Sequence, residues 1–110
     1  MNGVDPAGAG RMPVLFIGHG SPMNMVQENP FTESLTALGK ALPRPRAIMV
    51  ISAHWLTHGS FVGCMEKPRL IYDFYGFPQE LYRVKYECPG EPALARQVTG
   101  LDGARGIVRC

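Results

Sequence analysis

Apolar positions along this chain gather into short blocks set between stretches rich in glycine, proline and polar residues. Met12–Ile17 (MPVLFI) is the first block, closed by Gly18, and a short apolar run bounded by a turn residue predicts a buried strand. Gly18–Pro30 follows as a loop. Thr32–Lys40 then carries a helical pattern, with Thr32 as N-cap, Leu35 and Leu38 on one face and Gly39 at the exit. Leu42–Arg46 (LPRPR) is a stiff, proline-punctuated connection. Ala47–Ala53 (AIMVISA) predicts a second buried strand, ending at His54.

Strand, loop and helix, then strand, is the order of a βαβ unit, whose crossover returns the chain parallel to the first strand and right-handed. His19 lies just past Ile17 and His54 just past Ile51. Parallel strands would set both histidines at the same carboxyl edge, where open α/β sheets carry their ligands. Neighbouring strands about 5 Å apart would let two imidazoles converge on one ion.

Farther along, Ser60–Met65 is a candidate third strand and Pro68–Pro78 an aromatic loop holding Tyr72, Phe74, Tyr75 and Phe77. Gln79–Tyr82 predicts a helical turn. Glu91–Val98 predicts a helix with Pro92 at its first position. Gly100–Cys110 predicts a turn and a short strand at Gly106–Arg109. The expected fold class is α/β, a mixed and partly parallel sheet with flanking helices that begins with the βαβ unit. Met1–Arg11, glycine-rich and polar, is expected to be a flexible leader, with the domain covering 12–110.

Composition narrows the classes. With 110 residues, 45% of them hydrophobic and 18% charged, the chain is one globular domain at most. A net charge of +2, without a basic run, excludes a nucleic-acid or anionic-membrane surface. No apolar stretch nears the roughly 20 residues of a membrane span, and the leader lacks the apolar core of a secretory signal. A cytoplasmic location is the resulting expectation. Cys64, Cys88 and Cys110 form no C-x-x-C pair and are expected to be free thiols.

The candidate chemistry rests on histidine. Neutral imidazole is the commonest metal ligand, and His19 and His54 fall at equivalent places in the expected fold; alternatively, each caps a strand and bonds to nearby backbone. His58 stands at helical zinc spacing from His54, but it follows a strand and precedes Gly59, so it reads as an exposed loop residue. Gly18–Pro22 suits a backbone bending closely around an ion. It lacks the longer glycine pattern and lysine of a phosphate loop, and no G-x-S-x-G elbow accompanies it. Tyr72 and Asp73 either orient a small aromatic substrate or serve the fold, with Phe74 and Phe77 plugging a core and Asp73 capping a turn. Trp55 packs or walls a pocket.

Three blocks carry a family resemblance. Leu15-Phe16-Ile17-Gly18-His19-Gly20-Ser21-Pro22-Met23 is similar to the opening signature of 4,5-DOPA dioxygenase type enzymes in the LigB-like extradiol superfamily. Leu42-Pro43-Arg44-Pro45 with Ile51-Ser52-Ala53-His54-Trp55 resembles the second block. Tyr72-Asp73-Phe74-Tyr75-Gly76-Phe77-Pro78, with Leu81-Tyr82 and Tyr86-Glu87-Cys88-Pro89-Gly90, resembles the third.

The resemblance implies a non-haem Fe(II) enzyme, also found with Zn(II), that opens the ring of a small catechol such as DOPA with dioxygen. It implies His19 and His54 as metal ligands and assigns His58 no role. Family members run on well past the length of this chain, so 12–110 is expected to be the N-terminal part of a truncated catalytic domain. The remaining ligand and the acid/base histidine are expected beyond Cys110, and the 110-residue chain alone is expected to be inactive. Other readings are a non-catalytic metal-binding or interaction protein on the same scaffold, and a zinc-dependent hydrolase indifferent to oxygen.

Overall fold

The computed structural model describes residues 11–101 and 108–110. Met1–Gly10 of the expected leader and residues 102–107, including the start of the expected strand Gly106–Arg109, lie outside the described residues. The chain divides into two compact units, the first Met1–Ile48 with Phe74–Val84 and the second Met49–Asp73 with Lys85–Cys110. No described helix is long and apolar enough to cross a membrane.

In the first unit, a short 3-10 helix at Pro22–Met25 precedes helix α1, Pro30–Ala41. The cap of α1 is Asn29, not Thr32. The Asn29 side chain accepts from the Thr32 backbone N–H at 3.0 Å, and the Asn29 N–H donates to Thr32 Oγ1 at 2.9 Å. Thr32 is thus the third helical residue of a reciprocal capping box, and Pro30 takes a first-turn position where no N–H is needed. Glu33 in the first turn and Lys40 in the last complement the helix dipole. Helix α2, Gln79–Tyr82, buries Leu81 completely. Phe74 meets Phe77 edge-on with ring centroids 5.6 Å apart and lies 5.1 Å from Tyr82. Tyr82 Oη donates to the Phe74 carbonyl at 3.2 Å, so this cluster satisfies its polar tip as it packs.

The second unit contains helix α3, Pro92–Thr99, with Pro92 opening it and Ala95 buried. Strand β1, Ser60–Phe61, pairs in parallel with β2, Val108–Arg109, in the register Ser60↔Val108 and Phe61↔Arg109. Parallel pairing carries both chains onward in one direction. Cys64 and Cys110 therefore meet with Cα atoms 5.7 Å apart and are joined in a disulfide, a separation suited to that bond. This corrects the expectation of three free thiols: only Cys88 is a free cysteine among the described residues, and it is exposed.

Residues 12–17 and 47–53 enter no ladder among the described residues. The first segment nonetheless keeps a strand's alternation: Val14 and Phe16 are fully exposed, while Leu15 and Ile17 are 43% and 46% exposed. Ile48–Ile51 is exposed at every position. A strand gains its hydrogen bonds only from a neighbour, so an apolar segment without one stays in irregular conformation with its side chains in solvent.

Candidate functional site

His19 sits in a loop that is fastened to the start of α1. Gly20 beside it has φ +67, a backbone region that L side chains rarely adopt, so glycine is needed there. Asn24 Nδ2 donates to the His19 carbonyl at 2.8 Å, and Asn29 Nδ2 donates to Asn24 Oδ1 at 3.0 Å. Asn29 is also the α1 cap, which makes a continuous relay from a helix terminus to the His19 backbone. Ser21 tightens the same loop, its Oγ accepting from the Met23 N–H at 3.2 Å. The ring is held separately: His19 Nδ1 lies 3.0 Å from the Gly20 carbonyl oxygen.

His54 is presented by a turn in the second unit. The Trp55 N–H donates to the Ser52 carbonyl at 3.3 Å, and the His54 N–H donates to Ser52 Oγ at 3.2 Å. Serine at the first position of a turn commonly bonds the backbone two residues on, which is why Ser-Ala-His-Trp folds this way locally. The imidazole is then fixed from farther along the chain. His54 Nδ1 lies 2.7 Å from Asp73 Oδ2.

Both imidazoles therefore place Nδ1 against an oxygen that only accepts, a carbonyl for His19 and a carboxylate for His54. Nδ1 must carry the hydrogen in each contact, and the neutral ring then has its lone pair on Nε2. Metal-binding histidines are typically held this way, with the second nitrogen donating to a carbonyl or carboxylate. Imidazole nitrogen is a donor that borderline divalent ions such as Fe(II) and Zn(II) accept.

The structure places His19 in the first unit and His54 in the second. Among the described residues, no group of three or more His, Cys, Asp or Glu side chains is arranged to hold a metal ion. His58 lies in an exposed bend, followed by Gly59 at φ +87, as its sequence context predicts. Phe74 and Phe77 pack on each other, which accords with the structural reading of that loop. Tyr72 is 39% and Trp55 48% exposed. The Asp73 carboxylate is engaged with His54. Sequence reasoning did not pair them, since 19 residues separate them and no periodic pattern links a turn to an aromatic loop.

Comparison with known proteins follows the same residues. The family model described as the catalytic LigB subunit of aromatic ring-opening dioxygenase matches residues 13–107. A 4,5-DOPA dioxygenase extradiol of Escherichia coli (strain K12) is 56% identical over 91 residues, covering 83% of this chain and 34% of that protein. A 4,5-DOPA dioxygenase extradiol of Beta vulgaris is 39% identical over 95 residues, covering 84% of this chain and 35% of its own length. The dioxygenase tasH of Hapsidospora irregularis is 33% identical over 109 residues, covering 89% and 34% respectively. The chain thus spans about a third of the length of the curated relatives it matches.

Proposed function

This chain belongs to the family of the catalytic LigB subunit of aromatic ring-opening dioxygenases, and on that premise we propose that the protein carrying it is an extradiol dioxygenase acting on a small catechol such as DOPA. The match over residues 13–107 is the observation that carries this reading. The ring would open beside the diol, with both atoms of dioxygen entering the product and no outside reductant consumed.

His19 and His54 are proposed as two ligands of an Fe(II) ion, a role that Zn(II) would also fill in a preparation. The acceptor-only oxygens at both Nδ1 atoms support this, because they leave Nε2 as the donor nitrogen. When bound, the ion supplies Lewis acidity toward the diol and redox reactivity toward dioxygen. This chain's own residues fix the backbone at each histidine, through the Ser52 turn at His54 and the Asn24–Asn29 relay at His19, and the Nδ1 contacts orient the rings. The remaining ligand and the acid/base group are proposed to come from the two thirds of the relatives' length that this chain does not span.

The α/β scaffold is part of the proposal. Residues 12–17 and 47–53 read as parallel strands that would set both histidines at one sheet edge. Their exposed apolar side chains support this, since strands of a parallel sheet are apolar on both faces and need neighbours.

The test is anaerobic loading of the full-length protein with Fe(II), addition of L-DOPA, then admission of air. A yellow ring-opened product formed with equimolar oxygen uptake is the expected result. Bound iron with catechol and oxygen both unconsumed would overturn it in favour of a non-catalytic metal-binding protein.

A further inference from the structure

We propose that Asp73 is a positioning residue for His54, a carboxylate that fixes the ring so that Nε2 faces the metal ion; this rests on the reading of His54 as a ligand. The contact is short, 2.7 Å from Nδ1 to Oδ2, within the range of charge-assisted hydrogen bonds. It is not an arrangement for stability. The two side chains are 54% and 40% exposed, and a contact so open to water adds little to stability. What such a contact supplies is orientation. Ser52 fixes the His54 backbone through the turn, and Asp73 fixes the imidazole, so neither backbone nor ring is left to choose its attitude.

The comparison with His19 sharpens the assignment. There the Nδ1 partner is a neutral backbone carbonyl from the adjacent residue, at 3.0 Å. At His54 the partner is an anionic side chain brought from 19 residues away. A carboxylate holds the Nδ1–H through a stronger hydrogen bond than a carbonyl does, so the His54 ring is the more firmly oriented of the two. The Tyr72-Asp73-Phe74 run also explains itself in part. Phe74 packs on Phe77 and Tyr82 in the first unit, and this anchors the chain immediately after Asp73.

Two readouts in the full-length protein test this. The first is the tautomer of His54 in the metal-free protein, read from nitrogen-15 chemical shifts with the ring neutral. The hydrogen is expected on Nδ1 in the wild type, and on a mixture of both nitrogens in Asp73→Ala. The second is Zn(II) affinity by competition with a chromophoric chelator. Asp73→Ala is expected to weaken it about 10–100-fold, Asp73→Glu to recover part of that loss, and His54→Ala to weaken it further still. A wild-type ring protonated on Nε2 would overturn the proposal, and this needs no variant to fold. Wild-type affinity in Asp73→Ala, alongside lost affinity in His54→Ala, would also overturn it while leaving His54 a ligand. Wild-type affinity in His54→Ala would remove the ligand assignment itself.

Discussion

Asn29 does two things at once, and substitution separates them. Its Oδ1 accepts from the Thr32 N–H at 3.0 Å, capping α1, while its Nδ2 donates to Asn24 at 3.0 Å and so steadies the His19 carbonyl. Asn29→Ala removes both. An N-cap of this kind is worth about 1 kcal/mol, and a half-buried neutral hydrogen bond about 1 kcal/mol, so the loss should come to about 2 kcal/mol. Asn29→Asp keeps the cap, because aspartate caps as well as asparagine, but has no hydrogen to give Asn24. Its loss should be about half as large. Urea unfolding followed by far-ultraviolet circular dichroism measures both, and Zn(II) affinity reports whether the His19 loop has loosened. The argument predicts the order wild type, Asp, Ala in stability. It predicts weakened metal affinity in both variants, because both lose the bond to Asn24. Equal stability of the Asp and Ala variants would refute the cap, and wild-type stability of the Asp variant would refute the relay.

Two further outcomes are expected. At Gly90 an added Cβ would collide with the Met65 carbonyl while the Gly90 N–H still donates to Glu66 at 2.9 Å. Gly90→Ala should therefore destabilise the second unit by about 1–3 kcal/mol, as overpacking does, seen as a lowered urea midpoint; an unchanged midpoint would contradict that close approach. The Cys64–Cys110 disulfide closes a loop across 46 residues, so the chain-entropy model gives it about 4 kcal/mol. Cys64→Ser should melt well below the oxidised wild type and level with the wild type in reductant. Identical melting of wild type with and without reductant would speak against the bond.

The helices were legible in the sequence because their signals are local. Pro92 at the head of α3 and the run Gln79–Tyr82 coincide with the elements predicted there. The α1 cap was displaced from Thr32 to Asn29 because a capping box uses two residues, and either reads as the cap when the partner is not seen. The shortness of β1, Ser60–Phe61 within the expected Ser60–Met65, has a different cause: strand length depends on the partner, and β2 offers two paired positions. The disulfide was hidden by the same non-local pairing. For the site, glycines and strand ends pointed to His19 and His54, but Asp73 could only be found in three dimensions. Its partner is set by how a turn and a distant loop meet, which no spacing encodes.

The most direct test of the account is the metal content of four preparations, the wild type and its His19→Ala, His54→Ala and His58→Ala variants, expressed identically and measured by plasma mass spectrometry. The account predicts that His58→Ala keeps the wild-type content, while His19→Ala and His54→Ala each lose most of it. Equal metal in all four would contradict the assignment of His19 and His54.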